Sequence, residues 1–249
     1  MVESEEARVL GRKTAGLVEA GQTVPAQELL APVLAERTPF AMLRRIGEPI
    51  GAGPLREVNA FLALIAHDRT EGGWVIIASG LRGQLDRDLP GALARCRGHI
   101  IDANVWYAAD ILGEGVMGEA LVAHFHPALK QLLSWRQDPD PWIRRAIGVA
   151  VHFWAKRSRG APARALEAQA LLSLLEPMFW EWDMAAVKGV GWGLKTLGRY
   201  YPELVTYWLV QNVGLRERRH RALMLRKALT YLSDEHRARV TVRATAGYS

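Results

Sequence analysis

Apolar residues recur every three to four positions along almost the whole chain, and strand-like alternation is nearly absent. This periodicity predicts helices over roughly 4–20, 25–36, 39–51, 54–69, 73–86, 89–102, 104–112, 116–135, 141–157, 161–176, 183–199, 202–212 and 217–233. The punctuation between them is that of helix ends. Gly21, Thr38 before Pro39, the "GAGP" at 51–54, the turn from Asp138 to Pro141 and Asp183 before "MAAVKGV" all stand where a helix stops or starts. We read residues 1–233 as a single domain and the basic stretch 234–249, "DEHRARVTVRATAGYS", as a disordered tail.

Many short helices without strands form either a bundle or a repeat, and internal similarity favours the repeat. "RRAIGVAV" (144–151) aligns with "VKGVGWGL" (187–194), so that Arg145 matches Lys188, Ile147 matches Val190 and Gly148 matches Gly191 at a 43-residue interval. A fainter copy, "RKALTYL", places Lys227 39 residues further on. Such intervals are those of HEAT-type helix pairs, which predicts an all-α, right-handed solenoid with a concave basic groove. Equivalent repeat positions would then form a row along that groove, and Asp110, Arg145, Lys188 and Trp192 are its candidates. Gly148, Gly189, Gly191 and Gly193 suit close helix approach, although each glycine weakens its helix by roughly 0.5–1 kcal/mol relative to alanine.

Composition narrows the class. An apolar share of 49% with 23% charged residues in 249 positions belongs to an ordinary folded domain. The single cysteine, Cys96, excludes an internal disulfide framework and a multi-cysteine zinc site. The charged start "MVESEEARVLGRK" is unlike a signal peptide, and no apolar run approaches the roughly 18 residues of a membrane span. A cytoplasmic protein, expected to be monomeric and away from membranes, follows. The excess of 32 Lys+Arg over 26 Asp+Glu is modest, but it concentrates in "AKRSRGAPAR" (155–164), "RERRHRALMLRK" (216–227) and "RARVTVR" (237–243). One basic run is usually a solvated face; three in the C-terminal half favour a phosphate-binding surface.

Chemistry-bearing candidates are few. In "NVWYAADILG" (104–113), Trp106 and Asp110 stand four apart and so share one helix face. Taken alone, such a pair is most simply a core indole and a capping or solvated carboxylate. The pair His124 and His126 has no third ligand at metal spacing, so no metal site is expected. "GVGWG" and "GAGP" follow no strand and are not phosphate loops. Trp180 and Trp182 read as packing at a helix junction, Trp74, Trp135, Trp154 and Trp208 as core. Ser79 has no partner pattern for nucleophilic catalysis.

Three segments, in order, resemble the AlkD-like DNA alkylation repair glycosylases, a family built of HEAT-like repeats. "NVWYAADILGEGVMG" is similar to that family's Trp-x-x-x-Asp segment and the short loop after it. "DPWIRRAIGVAVHFW" resembles its Trp-x-x-Arg-Ala segment, and "VKGVGWGLKTLGRYYPELV" its Gly-Trp-x-Leu-Arg segment, with Lys195 where arginine is commoner. The likeness runs from about residue 38, with "TPFAMLRRI" as a looser match, to 233. It implies excision of positively charged N3- or N7-alkylated purines from duplex DNA by hydrolysis of the N-glycosidic bond, without a cofactor and without drawing the nucleotide into a deep pocket.

On that resemblance Asp110, Trp106 and Trp192 are the catalytic candidates, and Arg145, with Arg144, Lys188 and Lys195, would bind DNA. A cationic base is a good leaving group, so the reaction needs negative charge near the sugar and a placed water, which Asp110 would supply. Trp106 and Trp192 would meet the cation through their ring faces, and Arg145 would hold a phosphate. The alternative is a non-catalytic HEAT-repeat module that binds DNA or a protein partner through the same groove. A carboxylate facing phosphates speaks against a pure DNA binder, and the basic, tryptophan-lined groove against a pure protein scaffold.

Overall fold

The structure, a computed structural model, describes residues 4–213 and 221–246, and its regular elements are all helical. Among the described residues no helix is long and apolar enough to cross a membrane. The chain groups into two compact units, Met1–Val116 and Met117–Ser249.

In the first unit, α1 (Ser4–Glu19), α3 (Phe40–Gly51), α5 (Glu71–Arg82) and α7 (Trp106–Leu112) lie side by side in that order. Behind them run α2 (Thr23–Ala35), α4 (Leu55–His67) and α6 (Leu85–Ala103). The two rows bury α5 on every side, from Gly73 to Leu81. Its start is fixed by Thr70, whose hydroxyl accepts the Gly73 N–H at 3.0 Å. Ser79 on this helix donates its hydroxyl to the Arg44 carbonyl at 2.9 Å, a structural use of a buried polar group. The break expected near residues 87–88 is a bend inside α6. Asp88 leaves helical geometry at φ −155° and accepts the Gly91 N–H at 3.0 Å, so it acts as a cap within the helix, two residues before Pro90.

The second unit repeats the two-row plan. A π-helical turn, Gly113–Gly118, leads into α8 (Glu119–Ala123), and His124 at φ −134° separates it from α9 (Phe125–Trp135), so the expected helix 116–135 is split. One row is α8, α10 (Pro141–Ser158), α12 (Met184–Tyr200) and α14 (Arg221–Ala228); the other is α9, α11 (Ala165–Leu175), α13 (Pro202–Asn212) and α15 (Asp234–Ala246). The helix expected over 217–233 is α14 followed by a short 3₁₀ turn, with residues 217–220 outside the described residues.

The 43-residue period reappears in the caps. Asp140 accepts the Trp142 N–H at 2.7 Å to start α10, and Asp183 accepts the Ala185 N–H at 2.7 Å to start α12. Each such cap is worth about 1 kcal/mol. Between these two helices the backbones nearly touch. A Cβ on Gly189 would stand 2.9 Å from Cα of Arg145, and one on Gly193 2.8 Å from the Gly148 carbonyl oxygen. The contact therefore pairs Gly148 with Gly189 and Gly193 rather than with its sequence equivalent Gly191, whose missing side chain is replaced by the Lys227 stem.

The segment 234–249 departs from its expected disorder. Residues 234–246 form α15, packed on α13, while 247–249 lie outside the described residues. Ser233 accepts the His236 N–H at 3.3 Å as its cap, Val240 is buried, and Glu203 of α13 meets both His236 at 2.7 Å and Arg239 at 2.9 Å. Apart from Val240 these contacts are polar and carry little apolar periodicity, so the pattern of the sequence does not display them. Trp74, Trp154 and Trp208 are core, whereas Trp135 and Trp180 are half-buried. Trp182 corrects the packing expectation, being 62% exposed in the extended link before α12.

Candidate active site

In the first unit the candidate residues sit on α7. Asn104 ends α6 in the left-handed conformation (φ 49°), its N–H bonded to the Ile100 carbonyl, and Val105 is extended. Asparagine adopts that geometry more readily than other side chains. The chain then re-enters a helix at Trp106, two residues later than the sequence suggested. Ala108, Ala109 and Leu112 face inward and are fully buried. The opposite face carries Trp106, 55% exposed, and Asp110, half-buried, one turn further.

Trp106 is therefore not core. Its indole stands edge-on to Tyr107, ring centres 5.7 Å apart at 86°, which holds it in place while leaving it open to solvent. Asp110 lies within α7 and is no helix cap. The turn after it is π-helical over Gly113–Gly118 instead of the expected loop, and single π turns often accompany functional sites. Cys96 contributes only structure, its buried thiol donating to the Leu112 carbonyl at 3.7 Å and pushed up in pKa by burial.

In the second unit the structure separates the two adjacent arginines. Arg144 gives Nε and Nη2 to Glu181 at 2.6 and 3.2 Å, and Nη1 to the Asp138 and Pro139 carbonyls at 2.5 and 3.1 Å. Burial alone would raise the Glu181 pKa. Hydrogen bonds from Arg144 and from the N–H groups of Asp183 and Trp182 overcome this and hold it below the ordinary carboxylate value. The Arg144 guanidinium thus ties α10 to the start of α12. Arg145, about 100° further round α10, is buried and donates to the Ala185 carbonyl at 3.4 Å.

Lys188 is exposed, and Lys195 is half-buried with Nζ 5.1 Å from the Tyr231 ring centre. Lys227, which the sequence marked only as a repeat position, joins them. Burial, and then the charges of Lys195, Arg145, Lys188 and Arg226, lower its pKa. A half-buried ammonium in the field of four other cations is a site short of negative charge.

Trp192 is half-buried and stacked on His152, centres 4.1 Å apart at 25°. His152 Nδ1 is 2.6 Å from Thr196 Oγ1, and the Thr196 hydroxyl reaches the Trp192 carbonyl at 3.1 Å. Neither His152 nor Thr196 was singled out in the sequence. The available signal was spacing, with His152 two turns beyond Arg145 on α10 and Thr196 one turn beyond Trp192 on α12.

Burial, reinforced by Lys156 and Lys195, lowers the His152 pKa to about 4. The stability consequence has a definite sign. Above the unfolded value near 6.5 both states are neutral, and below it the unfolded chain binds the proton first. Stability is therefore expected to fall by on the order of 2 kcal/mol as pH drops from about 6.5 to about 4. Urea unfolding across that window should show a shallower slope in His152→Phe. An unchanged slope would mean that His152 titrates normally.

Among the described residues no group of three or more His, Cys, Asp or Glu is placed to hold a metal ion. The candidates thus form two sets, Trp106 with Asp110 in the first unit and Trp192 with Arg145, Lys188, Lys195 and Lys227 in the second. A family model described as DNA alkylation repair enzyme matches residues 56–232, which include every one of them. No curated protein and no solved structure matches the chain.

Proposed function

The chain belongs to the AlkD-like DNA alkylation repair enzyme family, and on that premise we propose that it is a DNA glycosylase releasing N3- and N7-alkylated purines from duplex DNA. The observation that carries this reading is the face of α7, where an indole 55% exposed stands one turn from a carboxylate in the matched region. Exposing so large an apolar ring forgoes about 2 kcal/mol of burial, a cost that recognition of a ring would explain.

In the proposed reaction the C1′–N bond of the alkylated nucleotide breaks, and its electron pair neutralises the cationic base. The sugar left behind is oxocarbenium-like. The Asp110 carboxylate stabilises that charge and orients the water that adds to C1′. Trp106 in the first unit, and separately Trp192 in the second, present a ring face of the kind a cationic base can meet, an interaction worth roughly 0.5–2 kcal/mol. Arg145, Lys188, Lys195 and Lys227 supply the positive field for the phosphates. The protein acts without metal or cofactor in this scheme.

The deciding experiment is base release from duplex DNA carrying N7-methylguanine or N3-methyladenine, compared with enzyme-free DNA. Release above background supports the glycosylase, and binding without release from any cationic adduct supports the non-catalytic module.

Salt sorts the cations. Affinity should fall by about 0.9 log unit per log salt for each phosphate neutralised, so Lys188→Ala is expected to flatten the slope by about one unit. Arg144→Ala should leave the slope alone and instead lower unfolding stability by about 3 kcal/mol, because it strands the half-buried Glu181 carboxylate. A reversed pattern, measured by binding titrations at several salt concentrations, would identify Arg144 as a DNA contact.

A further inference from the structure

We propose that His152 is the positioning residue for Trp192, an aromatic support that fixes the indole from behind and leaves its other face for a cationic base; the ligand part of this rests on the glycosylase reading. The support is doubly tied to the residue it supports. The imidazole stacks on the indole at 4.1 Å, and its Nδ1 lies 2.6 Å from a hydroxyl that itself bonds the Trp192 carbonyl.

Only one assignment satisfies both hydrogen bonds. Thr196 has a single hydroxyl proton, which goes to the Trp192 carbonyl one turn back, as threonine often arranges within a helix. His152 must then carry its proton on Nδ1 and donate it to Thr196 Oγ1. The ring is locked in one tautomer and one plane, and with it the rotamer of Trp192. Since one indole face is occupied by His152, a ligand ring can meet only the other.

Charge gives the arrangement its selectivity. An indole attracts cations because its faces are electron-rich. A protonated imidazole against one face would draw on that density and repel a cation on the opposite face. Burial of His152, which is 9% exposed, and the ammonium groups of Lys156 on α10 and Lys195 on α12 oppose such protonation. The cations that suit the surface to phosphates thus also keep the support neutral.

The test combines a structural and a functional readout on the full-length protein. With 5-fluorotryptophan incorporated, the fluorine resonance of position 192 is identified by its loss in Trp192→Phe. In DNA-free wild type this resonance should shift with a midpoint near pH 4, and in His152→Ala it should lose the titration and broaden. In single-turnover release of N7-methylguanine, His152→Ala should raise the protein concentration for half-maximal rate by about tenfold, the scale of a lost aromatic stack. His152→Phe, uncharged and aromatic, should recover to within about threefold, and His152→Lys should be worse than alanine.

A resonance unaffected by His152→Ala, or equal half-maximal concentrations for the alanine and wild-type proteins, would overturn the proposal. Should wild type release no base from any cationic adduct, the glycosylase reading fails. The fluorine measurements then still decide whether His152 positions Trp192.

Discussion

Asp110→Asn is expected to lower single-turnover base release by about 10²–10³, or roughly 3–4 kcal/mol of transition-state stabilisation, while leaving duplex affinity equal or slightly higher. The amide has the size of the carboxylate and changes only its charge and one hydrogen-bonding group. The inward side of α7 is Ala108, Ala109 and Leu112, none of which depends on that charge. Helix and unit should therefore stay folded. Binding gains from removing a negative group that would face phosphates. The chemical step loses, because an amide neither offsets a sugar cation nor accepts a proton from water. Cationic N7-alkylguanine also leaves DNA spontaneously, so each rate must be taken above enzyme-free DNA. Trp106→Phe and Trp192→Phe keep a ring face and should cost less. Equal enhanced rates for wild type and Asp110→Asn would remove Asp110 from the chemistry.

The parts of this picture legible in the sequence are those set by local rules. Asp140 and Asp183 announce two helix starts 43 residues apart because a short carboxylate reaches the N–H two residues on. The i, i+4 spacing of Trp106 and Asp110 places them on one face whatever surrounds the helix. What stayed hidden depends on partners distant along the chain. Adjacent Arg144 and Arg145 look interchangeable, yet on a helix successive side chains diverge by about 100°, so only one meets Glu181, 37 positions away. The helix over 234–246 is tied to Glu203, whose two partners, His236 and Arg239, are more than thirty residues off. His152 reads as an interruption in "VAVHFW" until Thr196 and Trp192 are brought against it. The exposure of Trp182 has no local signal, because nothing in its own neighbours distinguishes an extended link from a packed helix junction.

Gly189→Ala is expected to cost the second unit about 3 kcal/mol, the upper end of overpacking effects, although alanine is the better helix former. The atoms a Cβ would meet are backbone atoms of Arg145, its carbonyl carbon at 3.0 Å and its Cα at 2.9 Å. Neither can swing aside as a side chain can, so α12 must move away from α10. That movement would also part His152 on α10 from Trp192 on α12, so release of N7-methylguanine should weaken together with stability. Gly191→Ala tests the cause. It lies two residues along the same helix, but its nearest neighbour is Lys227 Cδ at 2.6 Å, partway along a flexible stem. The stem can give way, and the gain of about 1 kcal/mol in helix propensity should bring the net change near zero. Gly98→Ala, with nothing within 4 Å of the added carbon, should stabilise α6 in the first unit by roughly 0.5–1 kcal/mol. Urea unfolding of the three variants ranks them. If Gly189→Ala proves no worse than Gly191→Ala, the contact of glycine with backbone is not what sets the distance between α10 and α12.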